Sequence, residues 1–436
     1  MISPLAGPVT RRRLRNGLEL RLKEIHTAPL VSIWLWYRVG SRNERPGITG
    51  ISHWVEHMQF KGTPQYPAGE LDRAISRFGG YWNAHTGIDW TVYEHTLPAD
   101  RAELGLQVEA DRMLHSLFAP REVERERTVI ISEREMHEND PAFRLSEEVR
   151  AAAFRVHAYH HEVVGDLADL QTITRQDLYQ HYREHYLPAG AVLAVAGDFR
   201  MPAMLQTIRR LFGGLPSGRP PVPRLRTEPD QRGERRLVVE GPGETAFVEI
   251  AYHAPEALSP DFLPLAVVDS ALAGAASLNM YGGGISNKTS RLYQALVEGG
   301  LAAAVGGDLP ATIDPFLYSI WITVRPDRTP EDALEAFDRE VERLRREPIR
   351  AEEVAKAIKQ ARALFAYGSE SITNQAFWLG FSEMFADYTW FESYLDRLAQ
   401  VRVADVEAAA QKYLVPSNRV VGIYRPTGNG KPQHAD

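Results

Sequence analysis

The sequence predicts an α+β protein built as two half-domains of one plan, each a mixed sheet with helices packed on it. Three observations carry that expectation. At 436 residues the chain is longer than one compact core usually holds. Its two halves run through the same order of parts. Between them lies a stretch rich in Pro, Gly and charge, GGLPSGRPPVPRLRTEPDQRGER.

Each half opens with strand-like segments in which apolar and polar residues alternate. These are LELRLKEI and VSIWLWYRV in the first half, RRLVVEG and AFVEIAYHA in the second. Helical segments follow. Each half then closes with a helix, a Tyr-Leu-(Val)-Pro stop and an apolar run. The first close passes through Tyr186 and Pro188, the second through Tyr413 and Pro416. Proline ends the helix, and the apolar run suits a buried strand. The matching order implies duplication. The expected organisation is a metal-bearing half-domain over 1–212, an extended solvated linker over 213–235, and a homologous half-domain without a metal motif over 236–436.

Composition narrows the function. Hydrophobic residues make up 44% and charged residues 25%, as in ordinary globular proteins. A net charge of −7 speaks against a nucleic-acid partner, which calls for a basic stripe; the run Arg11 to Arg13 is short. No stretch is long and apolar enough to span a bilayer, and MISPLAGPVTRRRLRNGLEL has no continuous apolar signal region. A cytoplasmic protein is expected. There is no Cys, so any metal must be held by His and carboxylate.

GITGISHWVEHMQFKGT carries His53, Glu56 and His57. On a helix, expected to end at Gly62, His53 and His57 share a face and can reach one ion. Glu56 stands beside that ion without having to bind it. This order is the inverted zinc motif HxxEH. Catalytic zinc takes three protein ligands and keeps one position open, so a third ligand is required. The helical stretch REVERERTVIISEREMHEND offers Glu124, Glu126, Glu133 and Glu135; Glu126 and Glu133 lie two turns apart on one face. The residues alone do not choose among them, and such a run can equally be a solvated face of Glu–Arg pairs. YWNAHTGIDWTVY reads as two strands, with Asn83, Ala84 and Thr86 on the first. GGGISNKT (282–289) is one residue from a P-loop, with Asn287 in place of the second Gly. It follows AASLNMY rather than a buried strand, so nucleotide binding is not expected.

In LRNGLEL, GSRNE, TGISHWVEHMQFKGT, GGYWNAHTGIDWTVY and VIISERE, in that order, the chain resembles the pitrilysin family of zinc metallopeptidases. The likeness is to its mitochondrial-processing-peptidase-like bacterial branch and covers nearly the whole chain. The resemblance implies one Zn2+ held by His53, His57 and Glu133, with Glu56 as catalytic base and Glu126 as a supporting carboxylate. It implies that Asn83, Ala84 and Thr86 lie on an edge strand that pairs with substrate backbone. It also implies half-domains that, with a partner chain, enclose a peptide-sized chamber, and hence a zinc-dependent endopeptidase acting on peptides or unfolded segments. The alternative is a non-catalytic or peptide-binding assembly subunit. One departure matters. Self-sufficient members carry a substrate-holding Arg and Tyr in the second half; here LVEGGLAAAV puts Leu296 or Val297 at the Arg position and Ala303 at the Tyr position. The resemblance therefore implies the zinc-bearing member of a heterodimer with a paralogue that supplies Arg and Tyr, with a homodimer as the alternative.

Overall fold

The computed structural model describes residues 7–223, 226–275, 278 and 287–428. Residues 282–286 of the Gly-rich GGGISNKT stretch lie outside the described residues.

Strands β1 (Thr10–Arg13), β2 (Glu19–Glu24), β3 (Leu30–Tyr37), β4 (Tyr81–Thr86), β5 (Thr91–Pro98) and β6 (Ala191–Gly197) form one sheet in the order β1-β2-β6-β3-β5-β4. Strands β7 (Arg235–Gly241), β8 (Phe247–Ala254), β9 (Ala302–Asp308), β10 (Phe316–Val324) and β11 (Arg419–Pro426) form a second in the order β7-β11-β8-β10-β9. Once β1 is set aside, the two orders correspond strand for strand. In each sheet one pairing is parallel, β2 with β6 and β7 with β11, and all others are antiparallel. The duplication read from the order of parts is thus a duplication of topology, and both sheets are mixed as expected.

The first compact unit comprises residues 1–134, 161–226 and 369–392. Its central strands are buried on both faces: every residue of β3 but Leu30, and all of β6. On one face Val31, Ile33, Leu35 and Tyr37 join the core beneath the helices Ile51–Met58 and Ala102–His115. On the other, Trp34 and Trp36 meet Phe377 and Phe381 of the helix Ile372–Phe385, with the Trp34 and Phe377 ring centroids 5.6 Å apart. Arg21 fastens that helix by a two-point bond to Glu383, at 2.6 and 2.9 Å. Planar, paired geometry of this kind is the strong form of a charged hydrogen bond.

The second unit comprises 135–160, 227–368 and 393–436. There the helix Pro141–Ala153 packs on β7, β8 and β11. Gly422 of β11 makes room for it; a Cβ there would meet Val149 at 2.4 Å.

The linear division 1–212, 213–235, 236–436 therefore needs correction. Each half of the chain lends one helix to the other half's sheet. The physical reason is that a sheet with two apolar faces needs a helical layer on both, and the second layer is supplied from the other half. The expected linker is extended but not free. Pro220 lies against Gly190, and the Glu228 carboxylate accepts the backbone N–H groups of Arg155, Val156 and His157 at 2.8, 2.9 and 3.1 Å. Among the described residues no helix is long and apolar enough to cross a membrane.

Gly380 lies inside the helix Ile372–Phe385, and a Cβ there would stand 2.2 Å from the indole of Trp36. In an exposed helix, Gly→Ala would stabilise by about 0.5–1 kcal/mol. Here the fully buried indole blocks the methyl, and overpacking costs about 1–3 kcal/mol. Gly380→Ala should therefore lower stability by about 1–2 kcal/mol in denaturant unfolding. A raised midpoint would show that Trp36 yields and that propensity wins.

Candidate active site

HWVEH forms the helix Ile51–Met58. Its apolar side, Ile51, Trp54, Val55 and Met58, is wholly buried in the core of the first unit, which leaves His53 and His57 partly exposed on the other side with Glu56 buried beside them. The α-helix ends at Met58, earlier than the expected stop at Gly62. Three-residue turns then carry the chain through Phe60 and Lys61 to Gly62, which has φ +105°. Glycine is suited to that left-handed position.

The acidic stretch forms the helix Pro120–Glu138. Its buried residues, Val123, Glu126, Ile130 and Arg134, make a seam at helical spacing. The solvated-face reading holds for its outer pairs, such as Arg125–Glu122 at 3.2 Å. Arg127 does more. It pairs with Glu124, donates to the carbonyls of Leu170 and Ile173 at 2.6 and 2.9 Å, and lies over the Trp54 ring. It thereby ties the acidic helix to the motif helix.

Together the two helices bring one candidate set of metal ligands together. His53, His57 and Glu133 form a group whose ligand atoms all lie within 4.8 Å of one another. His53 Nε2 is 3.7 Å from Glu133 Oε1, and His57 Nε2 is 3.6 Å from Glu133 Oε2. A tetrahedral zinc ion with bonds of about 2.0–2.2 Å would hold its ligand atoms about 3.4 Å apart, so this donor set fits one ion with little movement. Glu124 is spent on Arg127, and Glu135 points to solvent.

Glu126 stands one step back. Its Oε2 is 3.1 Å from His57 Nδ1, and its Oε1 is 2.6 Å from Lys61 Nζ. A carboxylate on the far nitrogen of a ligating imidazole fixes the ring's tautomer and direction. Burial raises the Glu126 pKa, but the hydrogen bonds from His57 and Lys61 outweigh it and hold the carboxyl below its ordinary value. For His57, burial disfavours the charged ring; the Glu126 bond and the surrounding carboxylates outweigh burial and raise its pKa. Two imidazoles among three acidic groups make a centre that favours a cation. Lys61 was not singled out in the sequence, although it stands one turn beyond His57 and its position was the available signal.

Glu56 is buried, and burial pushes its carboxyl above the ordinary range despite a hydrogen bond from Thr86 Oγ1 at 2.6 Å. Thr86 is the last residue of β4, the outer strand of its sheet. Gly87 N–H donates to Trp90 O at 2.8 Å across the hairpin, and Thr86 faces Thr91 in the register. Antiparallel alternation then turns the backbone N–H and C=O of Trp82, Ala84 and Thr86 away from β5, toward the open edge. At that edge Asn83 Oδ1 accepts the Ala84 N–H at 2.9 Å, while Asn83 Nδ2 donates to the Tyr81 hydroxyl at 3.2 Å. Asn83, Ala84 and Thr86 thus share the edge strand. The Thr86 hydroxyl is directed to Glu56, and the Asn83 amide covers the edge donor of Ala84.

In the second unit, Tyr293–Glu298 forms a π-helix. Such a turn absorbs one extra residue, and it contains both Leu296 and Val297, the two residues offered for the Arg position. Leu296 is fully buried, and Ala303 is exposed on β9. Among the described residues of this unit there is no second His/carboxylate cluster fit for a metal.

Comparison with known proteins agrees with this arrangement. Residues 21–167 match the family described as Insulinase (Peptidase family M16), and residues 172–361 the one described as Peptidase M16 inactive domain. The chain is 30% identical over 417 residues to an uncharacterized zinc protease of Mycobacterium tuberculosis, covering 94% of this chain and 92% of that one. It is 27% identical over 403 residues to the beta subunit of the mitochondrial-processing peptidase of Blastocladiella emersonii, covering 92% and 85%. The crystal structure of a protease from Helicobacter pylori superposes with a TM-score of 0.89 at 25% identity, covering 96% of this chain and all of that one. On the sequence blocks, the duplicated fold and these relatives, the chain belongs to peptidase family M16.

Proposed function

We propose that this chain is a zinc-dependent endopeptidase that hydrolyses peptides or unfolded segments, working with a paralogous partner chain. The observation that carries the reading is the convergence of His53, His57 and Glu133 on one point, with the buried Glu56 beside them. Structural zinc is normally closed by four protein ligands, whereas three leave a position for chemistry. Relatives named as zinc proteases support the same metal.

A zinc ion held there supplies Lewis acidity, which activates water and polarises a carbonyl at neutral pH. The remaining work falls to side chains. Glu56 accepts the proton of the attacking water and returns it to the leaving amine; its raised pKa brings it nearer to the working pH of such a relay. Thr86 holds one Glu56 oxygen, which leaves the other for the water. Glu126 and Lys61 keep His57 facing Glu133. Substrate adds as a strand along β4, so main-chain bonds give affinity with little sequence preference. Asn83 must first swing off the Ala84 N–H, and it can then bond the substrate itself.

The partner is motivated by what the second half lacks. Leu296, Val297 and Ala303 cannot steady the developing negative charge on a carbonyl. Neighbouring polar groups are already engaged: Asn287 Nδ2 donates to the carbonyls of Ala273 and Val305, and Arg291 makes a two-point bond to Glu353 at 2.6 and 2.9 Å.

Glu133→Ala should remove most of the bound zinc, because three ligands leave no redundancy. Full zinc in the purified variant would pass the ligand role to another carboxylate.

Glu56→Gln keeps the shape but cannot take the proton. It should retain zinc and fold while turnover falls by about 10²–10⁴-fold. Cleavage at the wild-type rate would remove Glu56 from the mechanism.

The purified chain should cleave a mixed peptide library weakly or not at all alone, and readily once a paralogue bearing the Arg and Tyr is added. Donors aimed at the developing charge are each worth about 10²–10³-fold. Robust zinc-dependent turnover by a verified single-component preparation refutes the need for a partner.

A further inference from the structure

The start of the motif helix is held in an unusual way. Its N-cap is Gly50, at φ +83°, which has no side chain to offer the first free amides. Glu44 supplies the acceptors from six residues upstream. Its Oε2 takes the Gly50 N–H at 2.8 Å, and its Oε1 takes the Ser52 N–H at 2.8 Å. The same Oε2 lies 2.9 Å from His161 Nε2. The pair is sealed from solvent, with Glu44 0% and His161 2% exposed in their side chains. Helix N-termini carry orphan N–H groups and partial positive charge, so a carboxylate there satisfies both.

The backbone around this pair has no slack. A Cβ on Gly50 would meet Val164 O at 2.4 Å, and one on Gly165 would meet Thr49 O at 2.4 Å. Asp169 takes the Gly47 and Thr49 N–H groups at 3.0 and 2.9 Å and the Thr49 hydroxyl at 2.7 Å. The loop leading into the helix is therefore pinned by two carboxylates, but only Glu44 bonds amides of the helix start itself.

His53 is the third residue of that helix, one position beyond the amide that Glu44 holds. Metal ligands must sit within about 0.2 Å of their working distances, so a slip of the first turn is felt first at His53. The free positive end of a helix would also oppose a cation bound nearby, and a buried carboxylate cancels that field. We infer that Glu44, steadied by His161, is a positioning residue of the metal centre that sets its affinity for zinc. The inference rests on the zinc reading above.

The test is zinc affinity of the full chain by chelator competition at one pH, together with the melting temperature of the zinc-free protein. Glu44→Gln keeps the shape, loses the charge and turns an NH2 group toward one of the two amides. Zinc binding should weaken about 10- to 100-fold, the range found when groups supporting metal ligands are removed. Glu44→Asp should not restore it, since the shorter side chain cannot reach both amides. Wild-type zinc affinity in Glu44→Gln, even with a lowered melting temperature, would make Glu44 a stabiliser of the fold only and overturn the inference. If Glu44→Gln does not fold, His161→Gln decides: zinc binding several-fold weaker supports the inference, and unchanged binding overturns it. Failure of the wild-type chain to bind zinc at all is a different result, which overturns the metal reading itself.

Discussion

Two helices more than sixty residues apart in the chain meet at His57 and Glu126, where an imidazole nitrogen and a carboxylate oxygen lie 3.1 Å apart. With Nδ1 engaged there, Nε2 is the nitrogen left to face Glu133. The same carboxylate draws in Lys61, and the same acidic helix sends Arg127 over Trp54. The site is thus a joint between two rigid elements, which is the arrangement that best preserves ligand geometry. Burial of Glu126 makes the joint demanding: an unpaired carboxylate in its place would be costly, and both of its oxygens are engaged.

The sheets impose the second constraint. With β6 buried throughout and β3 buried from Val31 onward, the first sheet cannot be covered by one helical layer. Its far face is closed by a helix from the second half, and the second sheet receives a helix from the first half. Each compact unit therefore depends on both halves of the chain. The consequence for the site is indirect but physical. The Trp34 and Trp36 side of β3 must be packed if its opposite side is to hold the core beneath the motif helix.

Duplication left the two halves unequal in chemistry. The first sheet ends in β4, whose last residue, Thr86, donates its hydroxyl to Glu56. The second ends in β9, a strand of Ala, Val and Gly before Asp308. The first half brings together His53, His57 and Glu133, a group that could hold a metal ion, while the second has Leu296 buried and Ala303 exposed on β9. Most of the second half falls within the match to the family described as Peptidase M16 inactive domain, and among the described residues of the second unit there is no second His/carboxylate cluster.

What the sequence determined by itself was local. Period-two alternation marked β2, β3, β7 and β8, and the helix–Pro–strand close located β6 and β11 to within a few residues. The i, i+4 spacing put His53 and His57 on one face because helix geometry requires it. Residue spacing alone could not separate Glu133 from Glu126; the family resemblance distinguished them, and the tertiary structure gives the physical difference. They share one helical face, and their roles differ only through where the motif helix crosses that face: Glu126 is sealed against His57, and Glu133 is left partly open beside both imidazoles. The exchange of helices was likewise invisible, because an apolar stripe states that a helix is covered but not by which sheet. Glu44, Lys61 and Arg127 belong to the same class. Their side chains are ordinary in sequence, and their significance comes from backbone amides, a carboxylate and an indole that folding brings to them.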